Sequence, residues 1–375
     1  MSKIVVFLLF LVFVTATCLV SIQPINAAKT IVVPDDYSTI SSAIGNARDG
    51  DTIIVKKGTY EEKTLEINKA LSLVGEDANN TTINLHPPYN ETWILTQPFR
   101  TYSKAITIDE EGVKISNFTI TITPGGDIAV NSDETQITGN NITIEDESGV
   151  SGLRVKSSFN IITGNSFWVI FLDNANSNTV SNNTCGEIKL GFANQTSSYN
   201  VISRNKIEAG TRGLYGIEIR SGSNNVFYDN NISNCLGPIY TGGYKGYGVA
   251  FTGELGEIAQ NNTFYHNNFV NNNKHVDIYK ADSVIGNFWD NGEEGNYWDD
   301  YNGTDSNRDG IGDTPYVINS DNIDNYPLIA PFNIENDTVV LPPPEPFPTT
   351  LVAAASIALA VAVGGLLIYF KKRKH

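Results

Sequence analysis

The chain has 375 residues, with 41 acidic against 25 basic side chains and a formal charge of −16. That balance excludes a phosphate backbone as partner, because nucleic-acid binding needs clustered Lys and Arg. Asparagine, with 43 copies, is heavily over-used; it tolerates the left-handed region and bonds its own backbone, so the chain must turn often.

Residues 1–28 read as a signal peptide. Lys3 gives a basic start, residues 4–22 an apolar run, and Ala27 and Ala28 the small residues of a cleavage site. An uncleaved anchor is the alternative. The mature start, IVVPDDYSTISSAIGNARDGDTIIVKKGTY, places Ile40, Ala43, Ile44 and Ala47 at helical spacing. A helix there would cap an open first coil and protect its strand edge.

The middle of the chain repeats. TQITGN (135–140), NIITGN (160–165), NTVSNN (178–183), NVISRN (200–205), NVFYDN (225–230) and NTFYHN (262–267) each carry an apolar third residue and Asn in sixth place. A second series follows them: LRVKS (153–157), IFLDN (170–174), IKLGF (188–192), IEIRS (217–221), VAFTG (249–253) and VDIYK (276–280). Its first and third residues are apolar throughout, which is the alternation of a half-buried strand. Short strands repeating once per coil, with Asn and Gly at the corners, predict an all-β single-stranded parallel β-helix over residues 29–333. The sixth-place asparagines should stack as an amide ladder. Cys185 falls on an inward rung and Cys235 about two coils away, roughly 10 Å, beyond disulfide reach.

The even positions of the second series point outward and form a stripe of mixed charge: Arg154, Lys156, Phe171, Asp173, Lys189, Glu218, Arg220, Asp277 and Tyr279. Carboxylates and bases suit sugar hydroxyls, and rings suit sugar faces. Read blandly, the stripe is a solvated strand face. Catalysis by paired carboxylates would use Asp173 and Glu218, two rungs or roughly 10 Å apart, slightly beyond the inverting range. Lyase chemistry would use Lys189 or Arg220 as base. The insertion at 235–248 borders this face, and its Tyr240, Tyr244 and Tyr247 serve either as loop packing or as a sugar platform.

Residues 287–333 should close the last coil, with Trp289, Tyr297 and Trp298 over the end of the core. Within GNYWDDYNGTDSNRDGIGDTPYVI (295–318), Asp305, Asn307 and Asp309 are spaced i, i+2, i+4, and Ile311 and Asp313 follow. The spacing matches the first nine positions of a calcium loop, with the Ile311 carbonyl as a ligand, but Tyr316 stands where a bidentate Glu belongs. A structural calcium ion and a set of Asx turns both fit. Asp299 and Asp300 are adjacent and would point opposite ways in a strand, a poor catalytic pair.

Residues 334–349 form a proline-rich linker. Residues 350–370 are uncharged and long enough to span hydrocarbon, and the basic tail 371–375 places that end in the cytoplasm. The expectation is a single-pass membrane protein with its bulk outside the cell. Sequons at Asn90, Asn141, Asn194, Asn231, Asn302 and Asn336 are glycosylation candidates in an exported chain.

The opening VPDDYSTISSAI…GDTIIVKKGTYEE…INKALSLVGE, the Asn-cornered coils, and the ending GNYWDDYNGTDSNRDGIGDTPYVI…DNYPL together resemble the NosD-like family of right-handed parallel β-helix proteins with CASH-type (carbohydrate-binding and sugar hydrolysis) repeats. The resemblance covers about residues 29–332 and looks like an archaeal cell-surface version. It implies a pectin-lyase-like fold, and the family's label implies copper and a role in maturing a copper enzyme. Copper sites favour His, Cys and Met, and this chain holds one Met, the initiator, with His86, His266 and His275 scattered; copper is therefore not expected. GTYEE is also similar to pectin methylesterases, whose active-site motifs are absent. The sequence reading is a membrane-anchored surface module that binds glycans or is structural. A polysaccharide lyase or hydrolase and a copper-delivery accessory are the alternatives.

Overall fold

The computed structural model describes residues 27–334, apart from 95–96, 146–150, 192–194, 238–244, 254–256 and 280–283. The expected signal peptide as far as residue 26, and the expected linker from residue 335, membrane span and basic tail, lie outside the described residues, as do Tyr240, Tyr244, Asn194 and Asn336. Among the described residues, no helix is long and apolar enough to cross a membrane.

The strands stack in parallel sheets along a solenoid. A ten-stranded sheet runs from Thr30–Val33 to Thr263–Tyr265, and a nine-stranded sheet from Leu65–Ile67 to Lys274–Ile278. Strands of four- and five-stranded sheets form the third side, bridged by Ser166 between Asn141 and Thr184. The repeats stack in register: Ile188, Lys189 and Leu190 pair with Ile217, Glu218 and Ile219 one coil on. Each coil therefore buries its inner face only against its neighbours. The third-place residues of the repeat, including Ile162, Ile202 and Phe264, are fully buried, as are Leu190, Ile219 and Phe251 of the second series.

The expected amide ladder is present, running Asn140, Asn165, Asn183, Asn205, Asn230, Asn267 and Asn296. From Asn165 on, each Oδ1 accepts the backbone N–H and side-chain amide of the preceding rung, as Asn205 Oδ1 does from Asn183 at 3.0 Å each. Each Nδ2 also reaches a strand carbonyl, as Asn205 does to Val180 O at 2.9 Å. The corner thus buries polar groups with their partners supplied. A second ladder, missed in the sequence, stacks the first-place residues Asn160, Asn178, Asn200, Asn225 and Asn262 and ends on Asn287. A residue of positive φ precedes every rung of both ladders before the last one, Asn296, such as Asn182 (φ 54°) and Asn224 (φ 58°).

Both ends are closed as the sequence predicts. The helix Ile40–Asn46 buries Ile40, Ala43 and Ile44, and Thr39 caps it by accepting from Ser42 N. Buried Glu62 accepts the Ile40 N–H at 2.7 Å and ties the helix to the coils. At the far end, Trp289 stacks on Phe264 (4.5 Å between centroids) and Trp298 on Phe269 (4.2 Å). Both indoles are almost wholly buried, whereas Tyr297 is half-buried. Cys185 and Cys235 are free and buried.

Candidate functional site

The outward face of the nine-stranded sheet is not the freely solvated stripe that alternation alone predicts. Phe171, Asp173 and Glu218 are buried, at 7, 3 and 3 % exposure. They lie beneath cations from neighbouring coils, because parallel register sets opposite charges one rung apart. Arg154 pairs with Asp173 at 2.6 Å and Asp127 at 3.3 Å, and its guanidinium lies 4.0 Å over the Phe171 ring. Asp173 Oδ1 is buried and has no partner among the described residues. Lys189 bridges Glu187 (3.0 Å) and Glu218 (3.3 Å), while Glu218 also accepts from Arg220 at 2.9 Å and Thr252 at 2.8 Å.

Burial pushes the Glu218 carboxyl up, but Lys189, Arg220 and the Thr252 hydroxyl outweigh it and hold the pKa below the usual range. Burial likewise pushes Lys189 down, and Glu187 and Glu218 reverse it, so the ammonium holds its proton more tightly than a free lysine. A lysine so held is a poor base for lyase chemistry. Lys156 and Tyr279 are exposed, and Asp277 pairs with Lys274 at 2.9 Å.

Beside the charges runs an aromatic stripe that the sequence series did not contain. Trp168 immediately precedes the strand Val169–Leu172. One coil on stands Gly186, where a Cβ would come within 2.6 Å of the Trp168 ring; glycine lets the indole lie across that coil. The next two coils carry Tyr215 and Tyr247, paired in register with rings stacked at 5.9 Å. All three rings are half-buried. Arg212 lies 4.8 Å over Trp168, Lys189 5.8 Å over Tyr215, and Lys274 follows Tyr247 in register. Burial, with Glu218 nearby, raises the Tyr215 pKa to about 12, so its hydroxyl stays neutral. Tyr247 is thus a strand residue of this stripe.

A second cluster corrects the reading of His275 and of the Asp299–Asp300 pair. His275 is 6 % exposed, and its ring sits beside Phe269 and Trp298. The chain turns after Tyr297–Trp298, so strand alternation does not govern Asp299 and Asp300. Both direct an oxygen to His275 Nε2, at 2.9 and 3.3 Å. Tyr316 stacks on Trp298 at 4.3 Å and donates its hydroxyl to Asp300 at 3.3 Å. These groups border a cavity of about 240 Å³, lined also by Asn272, Lys274 and Ile318. Among the described residues they form the one grouping of three His, Cys, Asp or Glu donors within 4.8 Å of one another. No sequence spacing signals it, because 24 residues separate His275 from Asp299.

In the loop 305–313 the acids face the loop itself. Asp305 accepts the N–H groups of Arg308, Asp309 and Gly310, and Asp309 accepts that of Ile311 and the Asn307 amide. Asp313 accepts from the Ser306 and Thr304 hydroxyls, which hold its carboxyl below the usual range. Of the sequons, Asn141 and Asn302 are exposed and Asn231 is half-buried. The Asn90 side chain lies outside the described residues.

The sequence model of the family described as periplasmic copper-binding protein (NosD) matches residues 44–303. No curated protein matches the chain. Among solved structures, an alginate lyase from Paenibacillus sp. is similar at 14% identity and TM-score 0.44, over 72% of this chain and 97% of that one. The catalytic domain of a GH87 α-1,3-glucanase is similar at 14% identity and TM-score 0.40, over 72% of this chain but only 56% of the other. An exopolygalacturonase from Thermotoga maritima is similar at 12% identity and TM-score 0.39, over 66% of this chain and 72% of that one. At such identities the likeness concerns the fold alone.

The family description implies copper, and the donors here do not fit a soft copper centre. Cys185 and Cys235 are buried, and burial pushes both thiols up. His266 is engaged by Glu294 at 2.6 Å and His86 by Glu61 at 2.9 Å. Family is a separate question from metal, and on the match over residues 44–303 this chain belongs to the NosD family, built as a parallel β-helix.

Proposed function

We propose that this protein is an exported, membrane-tethered surface module that binds polysaccharide along the outward face of its nine-stranded sheet. The observation that carries the reading is the half-buried stripe of Trp168, Tyr215 and Tyr247, flanked by Arg212, Lys189 and Lys274. Tyr and Trp offer an apolar body with a polar tip, which suits the faces and hydroxyls of sugars. The flanking cations favour a chain that carries carboxylates or sulfates. Rings repeated along the solenoid axis suit an extended polymer lying across several coils.

Binding is favoured over catalysis because the acids of the ladder are engaged by cations, and Lys189 is held protonated. Tethering rests on the apolar stretch 350–370 and the basic residues after it. A structural calcium ion at residues 305–313 belongs to the same reading, drawing Asp305, Asn307, Asp309, the Ile311 carbonyl and Asp313 away from their loop partners.

A glycan array of neutral and acidic oligosaccharides, followed by product analysis of each hit, tests the reading. Acidic oligosaccharides should bind without cleavage, and Tyr247→Ala and Lys274→Ala should each weaken binding by roughly tenfold. Release of shortened products would favour the lyase or hydrolase instead. Binding untouched by both substitutions would move the site elsewhere.

A further inference from the structure

We infer that His275, Asp299 and Asp300 bind a divalent cation of borderline hardness, zinc or manganese, where the last coil meets its cap. Metal–ligand bonds of about 2.0–2.2 Å set two ligands of one ion about 3–3.5 Å apart. His275 Nε2 already lies 2.9 Å from an Asp299 oxygen and 3.3 Å from an Asp300 oxygen. Two carboxylates therefore converge on one imidazole N–H, in a chain with a formal charge of −16. The nearest lysine of the cavity, Lys274, pairs with Asp277. One imidazole with two carboxylates suits zinc or manganese and not monovalent copper, which seeks thiolate and thioether.

The supporting contacts fix the ligands. Asn271 N–H donates to the other Asp299 oxygen, and Tyr316 to the other Asp300 oxygen. Asn272 Oδ1 accepts the Cys235 N–H at 3.0 Å, so its Nδ2 faces His275 Nδ1 at 3.3 Å. Without a cation the imidazole proton thus sits on Nε2. When the cation takes that position, the proton moves to Nδ1 and the Asn272 amide turns away from it. The three donors come from the strand Lys274–Ile278 and the turn after Tyr297–Trp298, so an ion there would clamp cap to coil, and the open side faces the cavity.

The experiment uses the full chain in detergent, stripped with chelator and titrated with Zn²⁺, with Mn²⁺ followed by electron paramagnetic resonance, and with Cu⁺. With calcium added back to fill the loop 305–313, one Zn²⁺ or Mn²⁺ per chain should bind. Asp300→Asn should weaken it by roughly tenfold or more, while Asp309→Ala in the separate loop should leave it unchanged. The Asp300 side chain is 60 % exposed, so that variant should fold even if His275→Ala does not. Equal affinity in the native protein and Asp300→Asn overturns the inference, as does loss of binding in Asp309→Ala or a preference for Cu⁺.

Discussion

Asn296 donates its backbone N–H to Asp324 Oδ2 at 2.8 Å, so the long amide ladder ends on a carboxylate. Trp298 Nε1 donates to the same oxygen at 2.9 Å, and Tyr326 N–H to the other at 3.1 Å. A carboxylate only accepts, which suits the last rung, where no further coil supplies an acceptor. Burial nevertheless raises the Asp324 pKa to about 6.

A raised carboxylate pKa means that the folded state takes up a proton before the unfolded chain does. The stabilisation from this group is complete below the unfolded pKa of about 4 and is lost as pH rises through about 6. Asp324→Asn removes that titration. Relative to the native protein, the variant should gain about 2 kcal/mol between about pH 4.5 and about pH 7.5. Urea melts at both pH values check this, and a constant gap between the two proteins would show that Asp324 does not titrate in that window.

The inward column should dominate stability. Ile219→Ala and Phe251→Ala should each cost roughly 2–5 kcal/mol. Thr252→Ala, which removes one hydrogen bond to Glu218, should cost about 1 kcal/mol. Denaturant melts of the three variants would reveal a wrong strand register if the losses were equal.

The charged ladder is a stability element whose parts are interdependent. Lys189→Met leaves Glu187 and Glu218 buried without their shared cation and should cost about 3–5 kcal/mol. The double variant Lys189→Met with Glu218→Gln should recover part of that loss. A thermodynamic cycle on these variants gives the coupling, and strictly additive losses would mean that the pair does not interact.

Asn205→Ala should be among the most damaging polar substitutions. It strands Asn183 N, Asn183 Nδ2 and Val180 O in the interior, a loss on the order of 3 kcal/mol or more. Asn302→Ala, on the exposed cap loop, is the control and should shift the melt little.

Calcium at residues 305–313 has a direct calorimetric signature. An ion bound only by the folded state raises the melting temperature by mass action, and Asp309→Ala should abolish the rise. Identical scans with calcium and with chelator would leave the loop as a set of Asx turns.

The coil was legible in the amino-acid pattern alone. The third-place apolar residues and sixth-place asparagines repeat once per rung, and a stack contacting only its neighbours carries that local pattern directly into the fold. The cap helix and the closing indoles were legible for the same reason, since an open coil must be covered. What alternation could not decide was exposure. It places Asp173 and Glu218 on the outer face, but only the register shows that Arg154 and Lys189 of the preceding coils bury them there. Of the stripe, Tyr247 was legible only as part of the insertion 235–248, and Trp168 and Tyr215 escaped because they lie at a corner and a strand start, outside the alternating core of each repeat. The second ladder was in plain view as first-place asparagines, whose burial depends on the turn before them. The His275, Asp299 and Asp300 cluster was decided by tertiary structure alone. A turn after Trp298 carries two neighbouring acids back to a histidine from the last coil, and no periodicity in the chain encodes that meeting.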